Sequence, residues 1–129
     1  METGQLAAIS FFAGLDDEAL TAVAARASEV NVDAGHTLAV EGEFGHALYA
    51  IESGSAEVTS DGKVLRVLGS GDVFGEVAVL ASGRRTASVI ATTPLRLIAL
   101  FKRDVWALEK EAPAVAERLR SMISARAGL

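Results

Sequence analysis

Between Glu29 and Leu100 short apolar runs alternate with turn signals, and that rhythm points to a β-sheet architecture. Val30 and Val32 alternate with polar residues ahead of the turn Asp33-Ala34-Gly35. Leu48, Ala50 and Glu52 face one way, Tyr49 and Ile51 the other. After Gly54, Ala56 and Val58 share a face, and Asp61-Gly62 is a two-residue hairpin signal joining Glu57–Thr59 to Val64–Leu68. Thr86–Ala91 and Leu95–Phe101 read as two more strands around Thr92-Thr93-Pro94. Many short strands with Gly-rich turns predict a sandwich or closed barrel of jelly-roll type.

The two ends are helical. Asp16 caps a helix predicted to run to Ser28, with Leu20, Val23, Ala24 and Ala27 on one side. From Arg103 to Ala127 helical spacing returns. Asp104 is placed to cap a helix carrying Val105, Trp106 and Leu108. Pro113 suits the first turn of a second, continuing through Val115, Ala116, Leu119, Met122 and Ile123. Trp106 is expected in the core, and Val64, Leu65, Val73, Val79 and Val89 in the barrel interior. A chain of 129 residues makes one domain, residues 1–129. With half its residues hydrophobic and 22% charged, disorder is excluded. A net charge of −5 argues against a nucleic-acid surface. The absence of cysteine excludes disulfides, thiolate metal sites and a thiol nucleophile, and fits a reducing compartment. No signal peptide and no apolar run of spanning length is present, so the expectation is a soluble, cytoplasmic chain. His36 and His46 are isolated in loops, and no metal site is expected.

The segment from Phe74 to Val89 sets a glycine, a carboxylate and an arginine pair into a stretch that otherwise reads as core. Gly75 opens a short predicted helix, Gly75 to Leu80, whose N-terminal amides form an anion site. Arg85, nine residues after Glu76, can return to grip a phosphate with its planar fork of donors. Glu76 would repel that phosphate, so its presence implies a ligand that also offers hydroxyl donors, such as a ribose. Phosphate and ribose in one compact site imply a nucleotide.

At these residues the sequence resembles the phosphate-binding cassette of cyclic nucleotide-binding domains, which reads F-G-E-apolar-[A/S]-L and then R-[S/T/A]-A-[T/S/N]-V. Here the matching positions are Phe74-Gly75-Glu76-Val77-Ala78-Val79-Leu80 and Arg85-Thr86-Ala87-Ser88-Val89, at the family's usual interval. Phe12-Ala13-Gly14-Leu15, Gly35-His36-Thr37-Leu38, Glu41-Gly42-Glu43, Ala47–Gly54 and Gly69-Ser70-Gly71-Asp72 extend the resemblance over roughly residues 10 to 127. It implies an α+β, mainly β fold: an eight-stranded antiparallel β-roll over 29–101, holding the cassette at 74–89. An N-terminal helical segment, 10–28, and C-terminal lid helices, 103–127, would flank it. It implies a ligand site of Phe74, Gly75, Glu76, Val77, Ala78, Arg85, Thr86 and Ala87. In that site Glu76 accepts from the ribose 2′-hydroxyl, Ala78 and Ala87 offer backbone N–H groups, and Arg85 holds the phosphate. Thr86 sits where members that accept cGMP carry Thr or Ser, and reads equally well as a strand residue. Arg118, Leu119, Met122 and Arg126 are the lid candidates.

The expected function is a regulatory, non-catalytic module that binds cAMP, or cGMP, and repositions its C-terminal helices. It would contact neither nucleic acid nor membrane and would act on an unidentified effector domain or partner. A β-roll that has lost nucleotide binding and serves as a protein-interaction domain is the alternative. Hydrolysis would need a metal-activated water or a placed general base, for which two scattered histidines and no dense carboxylate group offer little.

Overall fold

The structure, a computed structural model, describes residues 2–75 and 83–127, with side chains as far as Ser121. Helix α1 (Thr3–Ala7), a 3-10 turn (Ser10–Phe12) and α2 (Asp17–Arg26) precede the strands. These are β1 (Ser28–Val32), β2 (Thr37–Ala39), β3 (Ala47–Ser53), β4 (Ala56–Ser60), β5 (Lys63–Leu68), β6 (Val73–Phe74), β7 (Ser88–Ala91) and β8 (Leu95–Phe101). Helices α3 (Lys102–Glu111) and α4 (Pro113–Ala127) follow. The strands pair antiparallel in two four-stranded sheets, ordered β1-β8-β3-β6 and β2-β7-β4-β5. This is the expected mainly β roll flanked by helices.

Local chemistry explains several boundaries. Asp16 caps α2 by accepting from the Ala19 N–H at 2.8 Å, with Asp17 and Glu18 in the first turn and Arg26 in the last, as the helix dipole favours. The helix stops at Arg26 rather than the expected Ser28, because Ser28 already pairs with Ala99 of β8. At the β4–β5 hairpin Asp61 and Gly62 both take positive φ, 52° and 76°, the two-residue turn whose twist matches the strands it joins. Pro113 opens α4, as its fixed φ and missing donor allow. Helix α3 begins at Lys102, not after Asp104. Asp104 is its third residue, and its carboxylate reaches back to accept from the Phe101 N–H at 3.0 Å.

The central strands of the first sheet, β3 and β8, are buried on both faces, while the edge strand β1 is largely exposed. Leu48 and Ala50 of β3 and Ile98 and Leu100 of β8 face a helical cluster of Leu6, Ile9, Phe12, Leu20, Val23, Val105, Leu108, Val115 and Leu119. Tyr49, Ile51, Leu95 and Leu97 point the other way, into the roll, against Ala39, Ala56, Val58, Leu68, Phe74, Val89 and Ala91. A strand covered on both sides reads as an unbroken apolar run, and Leu97-Ile98-Ala99-Leu100 is one.

Four residues expected in the interior need correction. Val64 and Leu65 are exposed, because β5 is an edge strand of the second sheet. Val73 is buried but packs on the helical cluster rather than inside the roll. Trp106 is 58% exposed, since α3 turns Val105 and Leu108 inward. Val89 does lie in the roll interior, and Val79 falls outside the described residues.

Candidate functional site: a buried arginine at the open end of the roll

Arg85 is buried, which for an ionised side chain requires hydrogen-bonded partners. Its Nη2 donates to the Ala47 carbonyl at 2.8 Å and its Nη1 to the Gly75 carbonyl at 3.4 Å. Its backbone is fixed by a short antiparallel pairing with the loop before β3. Arg85 N–H donates to the Glu43 carbonyl at 2.7 Å, and the Arg85 carbonyl accepts from the Gly42 N–H at 2.9 Å. Gly45 N–H bonds the Gly83 carbonyl at 3.0 Å, and Phe44 bridges Arg84 in the same ladder. Carbonyls 38 and 10 residues away in the chain thus hold the guanidinium in place.

Gly75 is the counterpart of that arginine. Its φ of +90° suits glycine, and a Cβ there would overlap Arg85 Nη1 and lie 3.0 Å from the Ala47 carbonyl oxygen. Two separate constraints, backbone conformation and close approach, therefore select the same residue. Just before it, Phe74 is buried and stacks on Tyr49, ring centres 5.2 Å apart. Its side chain belongs to the roll core and anchors β6.

A cavity of about 310 Å³ opens beside Arg85, lined by Thr37–Val40, Glu43, Phe44, His46, Ala47, Tyr49 and Phe101. That is the lower end of the size range of small-ligand pockets, roughly 300–1,000 Å³. Thr86 is exposed and Ala87 packs at the edge of the roll interior, both just ahead of β7. The structure thus brings Gly75 and Arg85 together, with Thr86 and Ala87 following in the chain. Glu76, Val77 and Ala78 fall outside the described residues.

The proposed lid residues lie elsewhere. Leu119 is fully buried in the helical cluster. Arg118 donates to the Phe11 carbonyl at 2.7 Å, fastening α4 to the 3-10 turn. The side chains of Met122 and Arg126 are outside those described. A lid made by Arg118 or Leu119 would need α4 to leave this packing.

A model of the family described as cyclic nucleotide-binding domain matches residues 29–111, from the first strand to the end of α3. The chain belongs to the cyclic nucleotide-binding domain family. The cyclic AMP receptor protein of Thermus thermophilus is 34% identical over 97 residues, covering 71% of this chain and 45% of that protein. A cyclic nucleotide-gated potassium channel of Rhizobium etli is 30% identical over 95% of this chain and 34% of its own length. The crystal structure of the Thermus thermophilus catabolite activator protein superposes with a TM-score of 0.81 at 32% identity, covering 91% of this chain and 57% of that one. The chain spans about half the length of the first of these relatives. Among the described residues, no helix of this cyclic nucleotide-binding domain is long and apolar enough to cross a membrane.

Sequence reasoning singled out Gly75 and Arg85 by type and spacing but missed their partners. Ala47 acts through its carbonyl, which no side-chain pattern signals. Glu43 and Gly42 act through their backbones, and their only sequence trace is the turn Glu41-Gly42-Glu43.

Proposed function

We propose that this domain binds a cyclic nucleotide, cAMP foremost and cGMP as the alternative, with Arg85 holding the cyclic phosphate. The observation that carries the reading is the buried Arg85 guanidinium, aimed at the Gly75 carbonyl and bordering the cavity, in a chain of this family. In a site shielded from water, a planar donor fork pairs with a phosphate more strongly than the same pair would at the surface. Gly75 lets the backbone approach closely. Glu76 takes the ribose hydroxyl, while Val77, Ala78 and Ala87 present the chain around the phosphate. Thr86 is the residue placed to favour cGMP. The names of the relatives, a cyclic AMP receptor protein and a cyclic nucleotide-gated channel, support the ligand class.

In this reading the module is a sensor and carries out no catalysis, and its setting is the cytoplasm. Ligand shifts the balance between two positions of α3 and α4 by as much as its affinities for them differ. Titration calorimetry with cAMP, cGMP and AMP tests it. Arg85→Ala should weaken cAMP binding by roughly 2–5 kcal/mol, as expected when one partner of a buried charge pair is deleted. Unchanged affinity in that variant would remove Arg85 from the role, and conversion of cAMP to AMP by the wild-type chain would overturn the non-catalytic reading.

A further inference from the structure

Among the described residues, three cations lie over aromatic rings, and all three rings are exposed. The Arg84 guanidinium is 4.3 Å from the centre of Phe44, the Lys102 ammonium 5.5 Å from Trp106, and the Arg103 guanidinium 6.0 Å from Phe101. Phe44, Trp106 and Phe101 are 63%, 58% and 42% exposed. These are three of the seven aromatic side chains in the chain, which has five Phe, one Trp and one Tyr. None belongs to either buried cluster.

The three rings are linked through the start of α3. Phe44 and Phe101 line the same cavity. Phe101 leads directly into α3, where Lys102 and Arg103 precede Trp106 by one turn. The Lys102 N–H donates to the His46 carbonyl at 3.0 Å, tying the start of α3 to the loop that carries Phe44. Aromatic residues and arginine are the types enriched at the centres of protein interfaces, and Trp and Arg among their energetic hot spots.

The charge balance says what kind of partner fits. Among the described residues, Lys102 and Arg103 reach no carboxylate at ion-pair distance. Of the carboxylates of α3, Glu109 is paired with Arg120 and Glu111 with Arg26, while Asp104 stays in the patch, accepting from the Phe101 N–H. With Arg84, Lys102 and Arg103 set against Asp104 and Glu43, the patch keeps a small positive balance in a chain of net charge −5. That overall charge opposes approach to a polyanion such as nucleic acid, whose binding rests on many phosphate contacts. A segment with carboxylates spaced among apolar side chains suits the patch better.

We propose that Phe44, Phe101, Lys102, Arg103 and Trp106 form a docking surface for an acidic, apolar-rich segment of another protein. Its apolar side chains would pack between the rings while its carboxylates pair with Lys102 and Arg103. Phe44 and Phe101 also line the cavity beside Arg85, so the peptide titration is made without nucleotide and its outcome is read apart from nucleotide affinity.

Trp106 is the chain's only tryptophan, so its fluorescence reports on the patch directly. The chain would be titrated with a synthetic peptide repeating Asp-Leu-Glu, its Lys-Leu-Lys counterpart, and oligothymidylate. The expected result is a saturable emission shift with the acidic peptide alone, weakening as salt screens the ion pairs. Lys102→Glu with Arg103→Glu should reduce that affinity roughly tenfold. Phe44→Ser lies outside α3 and should weaken binding as well, even if the charge reversal disturbs the helix. The proposal is overturned by the absence of a saturable shift, by an equal response to the basic peptide, by tighter binding of oligothymidylate, or by indifference to both variants. Sedimentation showing a dimer of the chain that the charge reversal abolishes would also overturn it, assigning the surface to a second copy.

Discussion

The two sides of the β1-β8-β3-β6 sheet are covered by different partners, helices on one and the second sheet on the other. The helix side holds Leu6, Ile9, Phe12, Leu20, Leu108 and Leu119, large side chains drawn from both ends of the chain. The roll side includes Ala39, Ala56, Val58, Val89 and Ala91, and its open end gives onto the cavity beside Arg85. The roll side also holds Ile51, Leu68, Phe74, Leu95 and Leu97, so the two sides differ in the cavity at one of them rather than in side-chain size. The same contrast appears in two of the arginines that reach distant carbonyls. Arg118 ties α4 to the 3-10 turn at 2.7 Å, and Arg85 sits at the mouth of a cavity. One region is closed by packing and the other opens onto a cavity.

The division breaks if the helix side proves tolerant. Leu119→Ala should cost about 2–5 kcal/mol in urea unfolding, the range for deleting a fully buried leucine. A loss well below that would mean the cluster collapses around the gap. Gly75→Ala comes next. With φ at +90° and Arg85 in the way, it should destabilise by more than about 1 kcal/mol and displace the guanidinium. Full cAMP affinity in that variant would separate Gly75 from the site. Arg118→Met should cost about 1 kcal/mol and speed amide exchange in α4, leaving Arg85 in place. Equal loss of protection in β3 would show that the two regions are not separable.

The smallest effect concerns the ion pair between α2 and α3. The hydrogen bond from Arg26 holds the Glu111 carboxyl below its ordinary value of 4.5, and Arg26 is correspondingly raised. A depressed carboxyl adds stability above its unfolded-state pKa and loses it as pH falls through the lower folded-state value. Glu111→Gln should therefore be slightly less stable near neutrality and converge with wild type in acid. Parallel melting profiles across pH would discard this contribution. It is minor because both groups are partly solvated.

Features set by local chemistry were legible in the sequence. Asp16, Asp61-Gly62 and Pro113 each act within a few residues of themselves, so residue type alone locates a cap, a turn and a helix start. The alternation along β3 was legible for the same reason, since strand geometry sends neighbours to opposite faces. Trp106 was misjudged because helical spacing identifies a stripe but does not say which of two adjacent apolar residues faces inward, and Val105 took that place. Arg118 was assigned to a lid, whereas its partner is a carbonyl 107 residues away, with no trace in the local pattern. At the site, the Gly75 and Arg85 spacing carried the signal, and the Ala47 carbonyl did not, because every residue offers one.

Strand β8 contributes to both compartments, with five of its seven residues buried. Strand β5, at the edge, has five of its six exposed. In evolutionary terms the two strands keep different clocks. Almost every replacement in β8 must satisfy one neighbouring compartment without intruding on the other, so lineages descending from this sequence should hold it nearly still. In β5 the same mutation supply meets little resistance, and divergence should accumulate there first.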